Sequence, residues 1–167
     1  MSRAFVKEDA NNLPEELPER QVSVLPNYVT PQGRAGLESR LAELIEARKS
    51  LISGKSDDPL QGQQLRLLER DLRYYEARLK SAILVNNSGP GTGEVRFGAR
   101  VTVKDSAGTT QEFSIVGEDE ADAASGKISW ASPLASALLG ARPGASVSLV
   151  RGSIETKLEI TAVRYSN

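Results

Sequence analysis

Two adjacent carboxylates, Asp57 and Asp58, lie within the stretch SGKSDDPLQG at residues 53–62. Gly54 and Pro59 interrupt a helical pattern on either side, so the pair falls at a turn. An Asp directly before Pro is also an ordinary way to start a helix, because the carboxylate caps free N–H groups and complements the dipole. The residues alone leave a helix cap and a working end both open. The chain has no Cys and no His, which excludes thiol nucleophiles, disulfides, imidazole acid–base chemistry and zinc sites built on those residues. Glu118-Asp119-Glu120 with Asp122 is the densest acidic run, but it lacks the Gly and closing Glu of an EF-hand loop and reads as a surface loop. Gly89-Pro90-Gly91-Thr92-Gly93 lacks the Lys-Ser/Thr of a phosphate-binding loop and leads into a strand.

The elements that must position these groups are legible in part. Thr30-Pro31 supplies an N-cap followed by proline at the first helical position. Leu37, Leu41, Leu44, Arg48 and Leu51 then recur at spacings of 4, 3, 4 and 3. Beyond the turn, Leu65, Leu68, Leu72, Tyr75, Leu79 and Ala82 repeat the seam. Two heptad stripes joined by a short turn predict an antiparallel helical hairpin. Each helix runs about 22–26 residues, roughly 33–39 Å at 1.5 Å per residue. The basic side chains Arg40, Arg48, Lys49, Lys55, Arg66, Arg70 and Arg73 flank the seam. Residues 31–85 hold ten basic and eight acidic side chains, so solvated flanks with i,i+4 partners such as Glu69–Arg73 account for most of that charge.

After a linker at 86–93 the apolar period changes from 3.5 to 2. Strands are expected at 98–105, 110–117, 127–132, 145–152 and 156–165, with one short helix capped by Ser132, opened by Pro133 and ended by Gly140. Trp130 is expected in the core or at the sheet edge. Residues 1–29 read as an extended, Pro-containing leader with Gln21–Leu25 as a candidate strand. The fold class is therefore α+β: an N-terminal antiparallel coiled-coil hairpin over 30–85 with its tip at 53–60, then a C-terminal antiparallel β domain with one short helix over 94–167. Net charge is −1, no apolar run approaches the ~20 residues of a membrane span, and residues 1–10 lack the apolar centre of a signal peptide. A cytoplasmic monomer with no membrane partner is expected.

Val95-Arg96-Phe97-Gly98-Ala99, Ile115-Val116-Gly117-Glu118-Asp119-Glu120-Ala121-Asp122, Ile128-Ser129 with Ser132-Pro133-Leu134-Ala135, Ala137-Leu138-Leu139-Gly140 with Gly144, and Glu76-Ala77-Arg78-Leu79 together resemble the Gre family (GreA/GreB) of bacterial transcript cleavage factors. The resemblance covers about residues 30–165. It implies an FKBP-like C-terminal domain that docks on RNA polymerase core at the rim of the secondary channel, with docking candidates Asp119, Glu120, Trp130, Ser132, Pro133 and Leu134. It implies that the hairpin enters the channel towards the nascent RNA and DNA of the elongation complex, with Arg48, Lys49, Lys55 and Arg66 facing RNA phosphates. It further implies that Asp57 and Asp58 help hold a Mg²⁺ shared with the polymerase active site. No cofactor would be bound stably and the chain itself would not be an enzyme.

The family's tip has a Gly-Asp followed three residues on by Glu-Asn. Here the positions three beyond Asp57 and Asp58 are Leu60 and Gln61. The hairpin also reads about one heptad shorter on each side, which retracts the tip by roughly 10 Å. Two outcomes stay open: stimulated cleavage of backtracked RNA, or occupation of the channel without cleavage. A prolyl isomerase or chaperone is the remaining alternative, and it rests on fold alone.

Overall fold

The computed structural model describes residues 17–54, 59–88 and 93–166. Strand β1 (Tyr28–Val29) leads into helices α1 (Pro31–Ser53) and α2 (Pro59–Ser81), followed by β2 (Ile83–Leu84). Beyond the linker come β3 (Ala99–Asp105), β4 (Thr110–Val116), β5 (Lys127–Ser129), α3 (Pro133–Leu138), β6 (Ser146–Arg151) and β7 (Ile154–Tyr165). The fold class is α+β, a helical hairpin followed by a curled, mostly antiparallel sheet. Among the described residues no helix is long and apolar enough to cross a membrane.

Each helix starts where its punctuation predicts. The Thr30 hydroxyl accepts the Gly33 N–H at 2.9 Å, Pro31 opens α1 and Pro59 opens α2. Ser132 caps α3 by accepting from the Ala135 N–H at 3.2 Å. The hairpin seam follows the heptad pattern, with Leu37, Leu44 and Leu72 buried and most of the other seam leucines half-buried. The expected pair Glu69–Arg73 does not form. Glu69 meets Arg48 across the hairpin at 3.4 Å, and Arg73 meets Glu19 of the leader. Partners on neighbouring elements replace the partner one turn away.

The main sheet has the order β5-β4-β3-β7-β6. In β3 Ala99, Val101 and Val103 are buried alternately, and with Ile115, Leu138, Leu149, Leu158 and Ile160 they form the core under α3. A bulge lies where Thr102 pairs with Ala162 and Val103 with Ile160. This leaves Thr161 as the extra residue, and its hydroxyl donates to the Thr102 carbonyl at 3.2 Å. Two details depart from the sequence reading. β4 and β5 pair in parallel rather than antiparallel, because the acidic loop between them crosses from one end of the sheet to the other. β6 and β7 meet in a two-residue turn, with Arg151 paired to Ile154. Gly152 at φ 61° supplies the positive φ such a turn needs.

The leader has no strand at Gln21–Leu25. Its strand is instead Tyr28–Val29, paired in parallel with Ile83–Leu84. Residues 17–27 run along α2 through side-chain contacts: Arg20 stacks 3.9 Å from the Tyr74 ring centre and pairs with Asp71 at 3.4 Å. Asn27 is buried and donates to the Arg78 carbonyl at 2.7 Å and the Ser81 hydroxyl at 3.2 Å. The expected leader residues 1–16 lie outside the described residues.

Candidate functional site

The hairpin projects from the β domain and is fastened at its base. Its helices are 23 residues each, about 35 Å of rise. At the base, Arg78 in the last turn of α2 is 1% exposed. Its Nε donates to Asp119 Oδ2 at 2.5 Å, and Nη2 lies 3.5 Å from Glu118 Oε2. The Tyr74 hydroxyl donates to the other Asp119 oxygen at 2.5 Å. Burial, then the Asp119 carboxylate, push the Tyr74 hydroxyl up from 10.0 to about 12. The N-cap of α1 joins the same acidic run: the Thr30 hydroxyl donates to Glu120 Oε2 at 2.6 Å, and Lys127 Nζ lies 3.4 Å from the other Glu120 oxygen.

The acidic run is thus a clasp between helices and sheet. Asp119 and Glu120, expected at a docking face, have their carboxylates engaged within the chain, at 15% and 12% side-chain exposure. A second contact is aromatic. The Tyr28 ring stands edge-on to Trp130 at 5.0 Å and tilted to Phe97 at 6.0 Å. Trp130 is half-buried at this seam rather than free. Of the other docking candidates, Pro133 is exposed, Ser132 is spent on capping α3, and Leu134 is a core residue. Gly117 lets the leader approach closely, since a Cβ there would collide with the Tyr28 carbonyl oxygen.

Along the stalk, Arg48 is paired with Glu69 at 3.4 Å and Lys49 with Glu46 at 2.6 Å. Arg40 pairs with Glu43 at 2.9 Å. Among the described residues Arg66 is exposed and makes no ion pair. At the tip, Gln61 reaches back across the hairpin, its Nε2 donating to the Leu51 and Gly54 carbonyls at 2.5 and 2.6 Å. Ile52 and Leu60 are exposed beside it. Lys55, Asp57 and Asp58 lie outside the described residues. No group of three or more carboxylates suited to a metal occurs among the described residues.

Sequence reasoning missed Arg78, Asn27 and Tyr28 as the base of the hairpin. The available signal was a basic residue ending α2 together with an acidic run that has no local partners.

A charged hairpin clasped by its base to a small α+β domain defines a protein that carries its tip far from its core. The family description "Transcription elongation factor, GreA/GreB, C-term" matches residues 90–165. The chain is 35% identical over 153 residues to transcription elongation factor GreB of Neisseria meningitidis, covering 83% of this chain and 94% of that one. It is 37% identical over 155 residues to transcription elongation factor GreA of Chloroflexus aurantiacus, covering 83% and 98%. The crystal structure of Gfh1, a GreA factor homolog of Thermus thermophilus, is 24% identical over 84% of this chain and 99% of that one, with a TM-score of 0.39. The chain belongs to the GreA/GreB family.

Proposed function

We propose that the chain is a transcription elongation factor that binds RNA polymerase core at its secondary channel and inserts the hairpin towards the active site. Membership of the GreA/GreB family carries this reading. The clasp at the base supports it, because a lever that reaches about 35 Å is useful only if its angle to the docking domain is set. The docking face is the end of the β domain around Trp130, Ser132 and the exposed Pro133. Arg66 and Lys55 face RNA phosphates in the channel, and Arg48 and Lys49 join them by exchanging their carboxylate partners for phosphate. Asp57 and Asp58 would contribute hard oxygen ligands to a Mg²⁺ of the polymerase, which takes one or two carboxylates and fills its remaining positions with water and substrate oxygens. Held there, such an ion would supply electrostatic stabilisation of the oxygens that gain charge in hydrolysis of extruded RNA. The chain supplies ligands and is not itself an enzyme; its place is the cytoplasm, with the polymerase.

A second reading, occupation of the channel without cleavage, is favoured by Gln61. The side chain three residues beyond Asp58 is an amide committed to helix carbonyls, and it adds no carboxylate to the tip. One experiment separates the readings. The protein is added to a stalled, backtracked elongation complex and the RNA 3′ end is followed. Shortened transcripts that vanish with Asp57→Ala/Asp58→Ala establish cleavage by the tip. Blocked extension without shortening establishes the plug. Failure to bind core polymerase in a pull-down overturns both.

A further inference from the structure

Helix α1 ends without the usual means of satisfying its last carbonyls. Gly54 follows it at φ −76° and ψ 76°, outside the left-handed conformation through which a C-terminal glycine returns its N–H groups to the final turn. The Gly54 N–H does reach the Ser50 carbonyl at 3.2 Å, and the Ser53 hydroxyl takes the Lys49 carbonyl. No basic side chain occupies the last turn to offset the negative end of the helix dipole. The Leu51 and Gly54 carbonyls are served from the other helix. Gln61, in the first turn of α2, spends both amide protons on them, at 2.5 and 2.6 Å.

Few other side chains fit this place. Two divergent N–H donors on one nitrogen, at the end of a three-bond arm, are what the two carbonyls require. Glu at neutral pH would set a carboxylate against two carbonyl oxygens, and Leu would leave both without a partner. The amide cannot be turned over, since its oxygen would then face the same two acceptors. Its Oε1 is buried without a hydrogen-bond partner, so the oxygen contributes nothing that would hold the side chain there. The residue is therefore held in place by its donors alone.

We propose that Gln61 is the positioning residue of the hairpin's far end: it ties the end of α1 to the start of α2 and sets the spacing of the two helices there. This rests on the channel-inserting reading above, but its structural half is tested without polymerase. The chain has no cysteine, so Ile52→Cys and Gln63→Cys, both exposed, accept a pair of spin labels and no others. Their distance distribution is expected to be narrow in the parent. At neutral pH it should broaden and lengthen with Gln61→Leu and with Gln61→Glu. Acidification should narrow the Gln61→Glu distribution again as its carboxyl gains a proton to donate, and should leave Gln61→Leu unchanged. Unlabelled Gln61→Leu should bind core polymerase as the parent does and lose at least tenfold of its effect on backtracked complexes. Distributions unchanged by either substitution overturn the proposal, as does a full transcript effect from Gln61→Leu. A parent protein without effect on polymerase would instead sink the functional reading and leave the distance result standing.

Discussion

Removal of the Asp119 carboxylate should cost far more than removal of any carboxylate on the stalk. Asp119→Ala leaves the Arg78 guanidinium, 1% exposed, with Glu118 at 3.5 Å as its remaining anion. Its Nη1 is already without a partner. Removing one member of a buried ion pair costs about 3–5 kcal/mol, because the other charge stays behind. The retained Glu118 places the expected loss at the lower end, about 3 kcal/mol. For a chain of this size each kcal/mol moves the midpoint by about 2–4 °C, so Tm should fall by roughly 6–12 °C in thermal unfolding followed by circular dichroism. Glu69→Ala is the control. Its partner Arg48 and Glu69 itself are both more than a third exposed, and such pairs are worth about 0–1 kcal/mol. Arg78→Met supplies the third comparison. It removes the buried charge along with the pair, so Asp119→Ala made on that background should cost much less than on the parent. A loss below about 1 kcal/mol for Asp119→Ala, or equal losses on both backgrounds, would refute the clasp as an energetic feature of the base.

Two further outcomes follow from the same region. The Tyr74 hydroxyl ionises at 10.0 in the unfolded chain and at about 12 in the folded one. The unfolded state loses that proton first, so the contribution is fully present below pH 10 and is lost as pH rises to 12. The difference in urea midpoint between the parent and Tyr74→Phe should therefore change across that window and be flat below it; a pH-independent difference would count against the Asp119 contact. Gly117→Ala forces the Tyr28 carbonyl away by overpacking, at about 1–3 kcal/mol. Because Trp130 is the single tryptophan and touches Tyr28, its emission should shift to the red; an unchanged spectrum with unchanged stability would show that the leader does not press on Gly117.

The helices and the interior of the sheet were legible because their signals are local. Thr30-Pro31, Ser132-Pro133, the heptad leucines and the alternation of Ala99, Val101 and Val103 each state an element within a few residues. The two-residue strands β1 and β2 have no period to read, and their pairing joins positions 55 apart, Tyr28 to Ile83. The parallel β4–β5 pair was hidden for a similar reason: a short strand declares its face but not its direction. At the site, composition announced the acidic run and position announced Arg78, yet their meeting is a tertiary event across 41 residues. The charges Asp119 and Glu120 looked available because sequence shows what a side chain is and not what already holds it. Gln61 was visible only as a departure from the family's tip pattern; the two carbonyls that give it a task come from a separate helix.

Among the described residues, the side chains buried in the hairpin are Leu37, Leu44, Leu72 and Arg78. Leu37, Leu72 and Arg78 belong to the half nearest the sheet and Leu44 lies just past the middle of α1; among the described residues none beyond Leu44 or before Leu72 is buried. Full burial therefore constrains the hairpin as far as Leu44 and Leu72, while the outer stretch is held by the half-buried seam leucines Leu51, Leu65 and Leu68 and by Gln61. Substitutions at the exposed positions out there are nearly invisible to folding. Lineages of this architecture can exchange exposed distal residues and try new tip chemistries without first acquiring a more stable scaffold. Divergence between relatives should accordingly concentrate on the exposed flanks of the outer rod, and any residue held constant there reports on whatever the rod meets.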